Sequence, residues 1–136
     1  MAVWFDVASR KKKSYNPVMV KAEGRLFKME PVSFINPGYL ETFPYKGPRQ
    51  EIHLEYPEFT TVCPFSGLPD VANIIVDYVP GKKCLELKSL KYYLISFRNV
   101  GIYQEAVTAR IHKDLKQLLK PRTLKVTTVY NTRGGL

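Results

Sequence analysis

Cys63 and Asp70 bracket the stretch Cys63-Pro64-Phe65-Ser66-Gly67-Leu68-Pro69-Asp70, which holds one potential nucleophile and one potential proton donor. The thiolate, not the thiol, attacks an electrophilic carbon, and a carboxyl group in a dry pocket can remain protonated near neutral pH. Such a pair could add sulfur to carbon and deliver a proton to the atom that gains charge. Pro64, Gly67 and Pro69 argue against a helix or a central strand here, so the segment from Cys63 to Asp70 is expected to be an ordered loop. The same thiol would also serve as a small buried hydrophobe, the ordinary use of cysteine among apolar residues. Cys84 is expected to be dispensable for the chemistry.

Further along stand Glu86-Leu87-Lys88-Ser89-Leu90-Lys91-Tyr92-Tyr93, then Ser96-Phe97-Arg98-Asn99 and Glu105. Preceded by Cys-Pro-x-Ser-Gly-x-Pro-Asp, this ordered set resembles the NADPH-dependent 7-cyano-7-deazaguanine reductases of queuosine biosynthesis, over about residues 39 to 135. The resemblance implies that Cys63 attacks the nitrile carbon to give a thioimide and that Asp70 protonates the nitrogen. Two hydrides from NADPH then yield 7-aminomethyl-7-deazaguanine. It also implies that Glu105 accepts hydrogen bonds from the amide and amino edge of the deazaguanine, with Gln104 beside it, and that Leu85, Glu86 and Leu87 border the base pocket. The family commonly has histidine where Gln104 stands, and glutamine cannot titrate near neutral pH. Lys88 and Lys91, three apart on one helix face, would meet the NADPH phosphates together with Arg133. The plainer readings are a first-turn acid favoured by the helix dipole for Glu105, and a solvated face for the lysines, as for Lys113 and Lys116.

The elements that must position these residues follow from periodicity. Residues 50–56 alternate apolar and polar, the pattern of a half-buried strand with His53 on its solvent face. Residues 72–79 are rich in β-branched side chains and end at Pro80-Gly81, a turn signal. The two strands can pair through the Cys63 loop. Leu87, Leu90, Leu94 and Phe97 predict a helix over about 87–98, and Val107, Ile111, Leu115 and Leu118 a second that stops before Pro121. Residues 124–130 read as a third strand, followed by a turn over 131–135.

Strand, strand, helix, helix, strand is an α+β arrangement, two antiparallel helices laid on one face of an antiparallel sheet. The resemblance implies the tunnelling fold, in which such sheets join across subunits into a barrel, with two stacked pentamers expected. Cys63 and Glu105 would meet across or near an interface. The chain stops where a fourth strand is expected to begin, which leaves residues 124–130 as an exposed edge.

At 136 residues the chain is one domain by length, and 45% hydrophobic residues suffice for a core. We divide it into a basic, poorly ordered N-terminal extension (1–35) and a catalytic domain (36–136). Of the net charge of +9, residues 1–28 carry +5 and the other 108 carry +4. The cluster Arg10-Lys11-Lys12-Lys13 reads as a solvated tail rather than a nucleic-acid arm, because no repeated aromatic–basic pattern accompanies it. Two cysteines and two separated histidines predict neither a disulfide framework nor a zinc site. No apolar run approaches the ~20 residues of a membrane span, and no signal-peptide pattern opens the chain, so a reducing cytoplasmic setting is expected. No Gly-x-Gly-x-x-Gly fingerprint is present, which excludes a Rossmann site. The competing functions are an archaeosine-forming amidinotransferase relative, which acts on tRNA through the same thioimide, and a non-enzymatic basic RNA-binding module. The intact block from Glu86 to Tyr93 argues against the former, and the missing zinc ligands against pterin-forming relatives.

Overall fold

A strand from Pro69 to Val79 is the spine of the structure, with Asp70, Ala72, Ile74, Val76 and Tyr78 buried and the residues between them half-buried. The computed structural model describes residues 28–132. In chain order its elements are β1 (Thr42–Pro44), β2 (Ile52–Val62), β3 (Pro69–Val79), β4 (Lys83–Leu85), α1 (Leu87–Ile95), α2 (Gln104–Leu119) and β5 (Thr123–Tyr130), preceded by two 3₁₀ turns, Val32–Phe34 and Pro37–Tyr39. One antiparallel sheet has the order β2-β3-β5, and β1 and β4 form a second, two-stranded one. Both helices bury their apolar faces in one core with the sheet, including Leu90, Leu94, Val107, Ile111 and Leu115. This is the predicted α+β layering.

Several boundaries differ from the sequence reading, each for a physical reason. β2 runs on to Val62 because it absorbs an irregularity at Pro57 and Glu58. Tyr56 pairs with Ile74 but Phe59 with Ala72, so β2 spends one residue more than β3 there. Ile52, Leu54 and Tyr56 face the core before this bulge, and Phe59 and Thr61 after it. Pro69 and Asp70 are paired with Val62 and Thr61, so only residues 63–68 form the loop. Proline is tolerated at Pro69 because it is the first residue of its strand. α1 closes at Ile95, and the turns after it still bury Phe97.

Residues 28–35, assigned above to the extension, sit on the domain. The Glu30 amide donates to the Asn99 carbonyl at 2.8 Å, and Ile35 belongs to the core. Residues 1–27 of the expected extension, and Arg133 to Gly135 of the expected turn, lie outside the described residues.

α1 starts where Glu86 caps it, accepting the Lys88 and Ser89 amides at 2.9 and 2.6 Å. α2 ends before Pro121, as expected, with Lys120 in the left-handed region at φ 45°. A Cβ on Gly81 would lie 2.8 Å from the Lys120 carbonyl oxygen, so the Pro80-Gly81 turn needs glycine to approach the helix end. The two helices are tied together by buried Asp114, which accepts from the Tyr93 hydroxyl at 2.8 Å and from Arg110 Nε at 2.7 Å.

Candidate active site

Four element ends meet at one end of the sheet: the close of β2, the start of β3, the close of β5 and the start of α2. Antiparallel pairing brings the first three together, since Val62 pairs with Pro69 and Ala72 with Tyr130. A parallel bridge then recruits the helix. The Val62 amide donates to the Val100 carbonyl at 3.1 Å, and the Ile102 amide returns to the Val62 carbonyl at 3.2 Å. Gln104, the first residue of α2, follows two positions later. The Thr108 and Thr128 hydroxyls, 2.6 Å apart, fasten the same helix to β5.

Cys63 is half-buried at the start of the connecting loop. The Cys63 amide donates to the Leu68 carbonyl at 2.9 Å and the Gly67 amide to the Cys63 carbonyl at 2.8 Å, which closes the loop on itself. Gly67 has φ 69°, a conformation that suits glycine. Asp70 is 2% exposed and shares the inner face with Thr61, its partner across the β2–β3 ladder. Glu105 is exposed in the first turn of α2, and Gln104 is half-buried before it. The helix has no side-chain cap, so its N-terminal dipole favours an acid at Glu105.

Tyr130 joins this group without having been picked out in the sequence. Its hydroxyl is buried, and its pKa is raised, first by burial and then by the carboxylates of Asp70 and Glu105, against a smaller opposing effect of Thr61. The tyrosine therefore sits within electrostatic reach of both acids. A readable signal existed: Tyr130 shares strand parity with core-facing Leu124 and Val126 yet carries a polar tip. Phe65, at 88% exposure, with Leu68 and Tyr103, leaves apolar surface around this end.

Leu85 stands towards the other end of β3. The Leu85 amide donates to the Tyr78 hydroxyl at 3.1 Å, and Tyr78 stands at the far end of β3 from Asp70. Eight residue steps along the strand separate the two, on the order of 25 Å. Leu85, Glu86 and Leu87 border a separate groove of about 430 Å³ with Phe43, Ile52 and Cys84. The Glu86 carboxylate is engaged as the α1 cap, and its pKa is lowered by the Lys88 and Ser89 amides. Lys88 Nζ lies over the Tyr92 ring, 5.9 Å from its centroid, while Lys91 lines a narrower groove against β2 beside Glu55. One chain thus gathers Cys63, Asp70, Gln104 and Glu105 at one end of the sheet, with Leu85 towards the other.

His53 is on the solvent face, as expected, held between Glu55 and Asp77. Among the described residues no group of His, Cys, Asp and Glu could hold a metal ion, and no helix is long and apolar enough to cross a membrane.

Comparison with known proteins decides the family. A family model described as "QueF-like protein" matches residues 69–136, half of the chain. NADPH-dependent 7-cyano-7-deazaguanine reductases of Thermotoga petrophila and Thermotoga maritima are each 53% identical over 119 residues, 87% of this chain and 87% of theirs. This chain belongs to the QueF-like family. A third relative of the same description, from Nitrosospira multiformis, is 54% identical over 101 residues, covering 71% of each chain. Among solved structures, the apo archaeosine synthase QueF-Like superposes with a TM-score of 0.56 at 24% identity, covering 67% of this chain and 99% of that one. That likeness supports the fold. The family assignment accords with the expectation drawn from the Cys-Pro-x-Ser-Gly-x-Pro-Asp loop and the block from Glu86 to Tyr93.

Proposed function

We propose that this chain is a cytoplasmic NADPH-dependent reductase that converts 7-cyano-7-deazaguanine to 7-aminomethyl-7-deazaguanine through a thioimide on Cys63. The observation that carries this reading is the convergence of Cys63, buried Asp70 and Glu105 at one end of the sheet. The named reductases at 53% identity support it over the archaeosine-forming alternative, whose solved representative is only 24% identical.

Cys63 Sγ adds to the nitrile carbon, one carbon–nitrogen π bond opens, and Asp70 passes a proton to the nitrogen. Sulfur later leaves that carbon as thiolate, which regenerates Cys63. Glu105, exposed beside the loop, accepts from the paired donors of the deazaguanine, and Gln104 offers both a donor and an acceptor. Because Gln104 cannot titrate near neutral pH, protonation rests on Asp70. NADPH supplies the hydrides. The described residues fit its phosphates, since α1 contains no acid and neither Lys88 nor Lys91 is in an ion pair among the described residues. Arg133 would add a third cation.

Leu85 and the start of α1 lie towards the other end of β3 from Asp70, and we assign residues 85–91 to the centre of a neighbouring chain. Each centre is therefore shared between subunits of a ring-forming homo-oligomer, and we assign two stacked pentamers. The apolar surface of Phe65, Leu68 and Tyr103, together with the edge that β5 forms among the described residues, gives a partner something to cover.

Incubation with 7-cyano-7-deazaguanine alone is expected to add one substrate mass per active chain, and adding NADPH to start its oxidation. An adduct that persists in Cys63→Ala, or a wild type that forms none, would refute the assignment.

A further inference from the structure

Turning a nitrile into an amine adds two hydrides and two protons across one carbon–nitrogen bond. Asp70 gives the first proton as sulfur adds, and is then a carboxylate. The second proton is needed with the first hydride, so Asp70 must be reloaded within a single turnover. It is only 2% exposed, and an uncompensated buried carboxylate is costly. The new proton therefore needs a route through the protein.

Tyr130 stands on such a route. On β3, Ala72 is its partner, and Asp70 lies two residues away on the same inner face, diagonal to the tyrosine. Because Ala72 is small, the ring can lean over β3 towards Thr61, the partner of Asp70 on β2. The helix side is fixed by the Thr108 and Thr128 hydroxyls, 2.6 Å apart. α2 runs away from the Cys63 end of the sheet and β5 runs towards it. From the threonine contact, three residues back along α2 reach Glu105, about 5 Å nearer that end. Two residues onward along β5 reach Tyr130, about 7 Å in the same direction. The phenol thus lies between buried Asp70 and exposed Glu105. Its hydroxyl and Thr61 Oγ1 are both buried, and neither makes a well-formed hydrogen bond among the described residues. A hydroxyl can donate and accept at once, and here both capacities are uncommitted. Gln104, beside Glu105, cannot take this part, because an amide does not titrate near neutral pH.

We infer that Tyr130 is a positioning residue that returns a proton to Asp70 in mid-turnover. A proton from water at the exposed Glu105 carboxylate arrives on the phenol oxygen as the phenol's own hydrogen passes to the Asp70 carboxylate. One O–H bond forms and one breaks at Tyr130, which ends neutral. Glu105 keeps room for the donors of the substrate, since a carboxylate offers about four acceptor sites. The inference rests on the reductase reading.

Tyr130→Phe removes the hydroxyl and keeps the ring, so the fold is retained, and urea unfolding checks this. Rapid-quench mass spectrometry follows two steps separately: formation of the Cys63 adduct from 7-cyano-7-deazaguanine alone, and its consumption once NADPH is added. Formation uses the proton already on Asp70 and should stay within ~2-fold of wild type. Consumption needs the reloaded acid and should slow at least ~10-fold, towards the lower end of what a proton-transfer group contributes. A structural role would not divide the two steps in this way. If the variant consumes its adduct as fast as wild type, or if both steps slow equally, the relay falls and the reductase reading stands. If wild type forms no adduct and oxidises no NADPH, the reductase reading falls and the relay with it.

Discussion

Two inactive variants of this protein should restore one another. Cys63→Ala removes the nucleophile from one end of the sheet, and the double variant Lys88→Ala, Lys91→Ala removes two cations of α1, the helix that starts beside Leu85 towards the other. If each centre takes its cysteine from one chain and its lysines from a neighbour, a mixed assembly contains some intact centres. Such a centre needs its cysteine half from the lysine variant and its lysine half from the cysteine variant. Random assembly from equal amounts meets each condition about half the time, so about one quarter of wild-type turnover should return. The assay is NADPH oxidation by co-expressed variants, with mixed subunit composition verified by native mass spectrometry. Each variant alone, assayed at the same low NADPH concentration, sets the baseline. Mixed assemblies that never exceed the sum of the two parents would show that the centres lie within single chains.

Other outcomes follow from particular contacts. Asp70→Asn keeps the shape of the side chain and loses the transferable proton, so adduct formation and turnover should both slow by about 10²–10⁴; near-normal turnover would remove Asp70 from the mechanism. Asp114→Ala leaves the fully buried Tyr93 hydroxyl and Arg110 without their shared acceptor and should cost about 3–5 kcal/mol in urea unfolding, against about 1.5–3 kcal/mol for Tyr93→Phe, which leaves Arg110 paired. Equal losses would contradict that order. His53 has its pKa raised above the ordinary 6.5 by the hydrogen bonds its ring donates to Glu55 and then to Asp77. Its contribution to stability is therefore complete below pH 6.5 and disappears as the pH rises through the higher folded value. Because the ring is exposed the effect is small, and an NMR titration midpoint at or below 6.5 would refute it.

The sequence made regular segments legible and hid the irregular ones. Residues 50–56 could be read as a strand because their alternation is unbroken, whereas Pro57 and Glu58 interrupt the phase, so the strand reading stopped short of Phe59 to Val62. Pro69 misled in the same direction, since a proline at the first position of a strand looks from sequence like a strand breaker. β1 and β4, at three residues each, are too short to show any period. At the candidate site, Cys63, Asp70 and Glu105 stood out by chemistry and family resemblance. Thr61 and Tyr130 did not, because their place beside Asp70 depends on pairing between strands distant in the chain. The place of Leu85 beside Tyr78, towards the other end of β3 from Asp70, was equally invisible, because the residues between can fold back or extend.

The bulge in β2 changes what a deletion would do. In most strands the loss of one residue turns every side chain beyond it to the wrong side. Here β2 already carries one residue too many opposite Asn73, so removing Glu58 would place Pro57 there and leave Phe59, Thr61 and the Cys63 loop on their present face. Removing both Pro57 and Glu58 would invert them. The shorter deletion should therefore yield a folded protein with a straighter β2, and the longer one a chain that cannot bury Phe59. Comparing the two would separate the curvature that aims the nucleophile from the packing that holds the chain together.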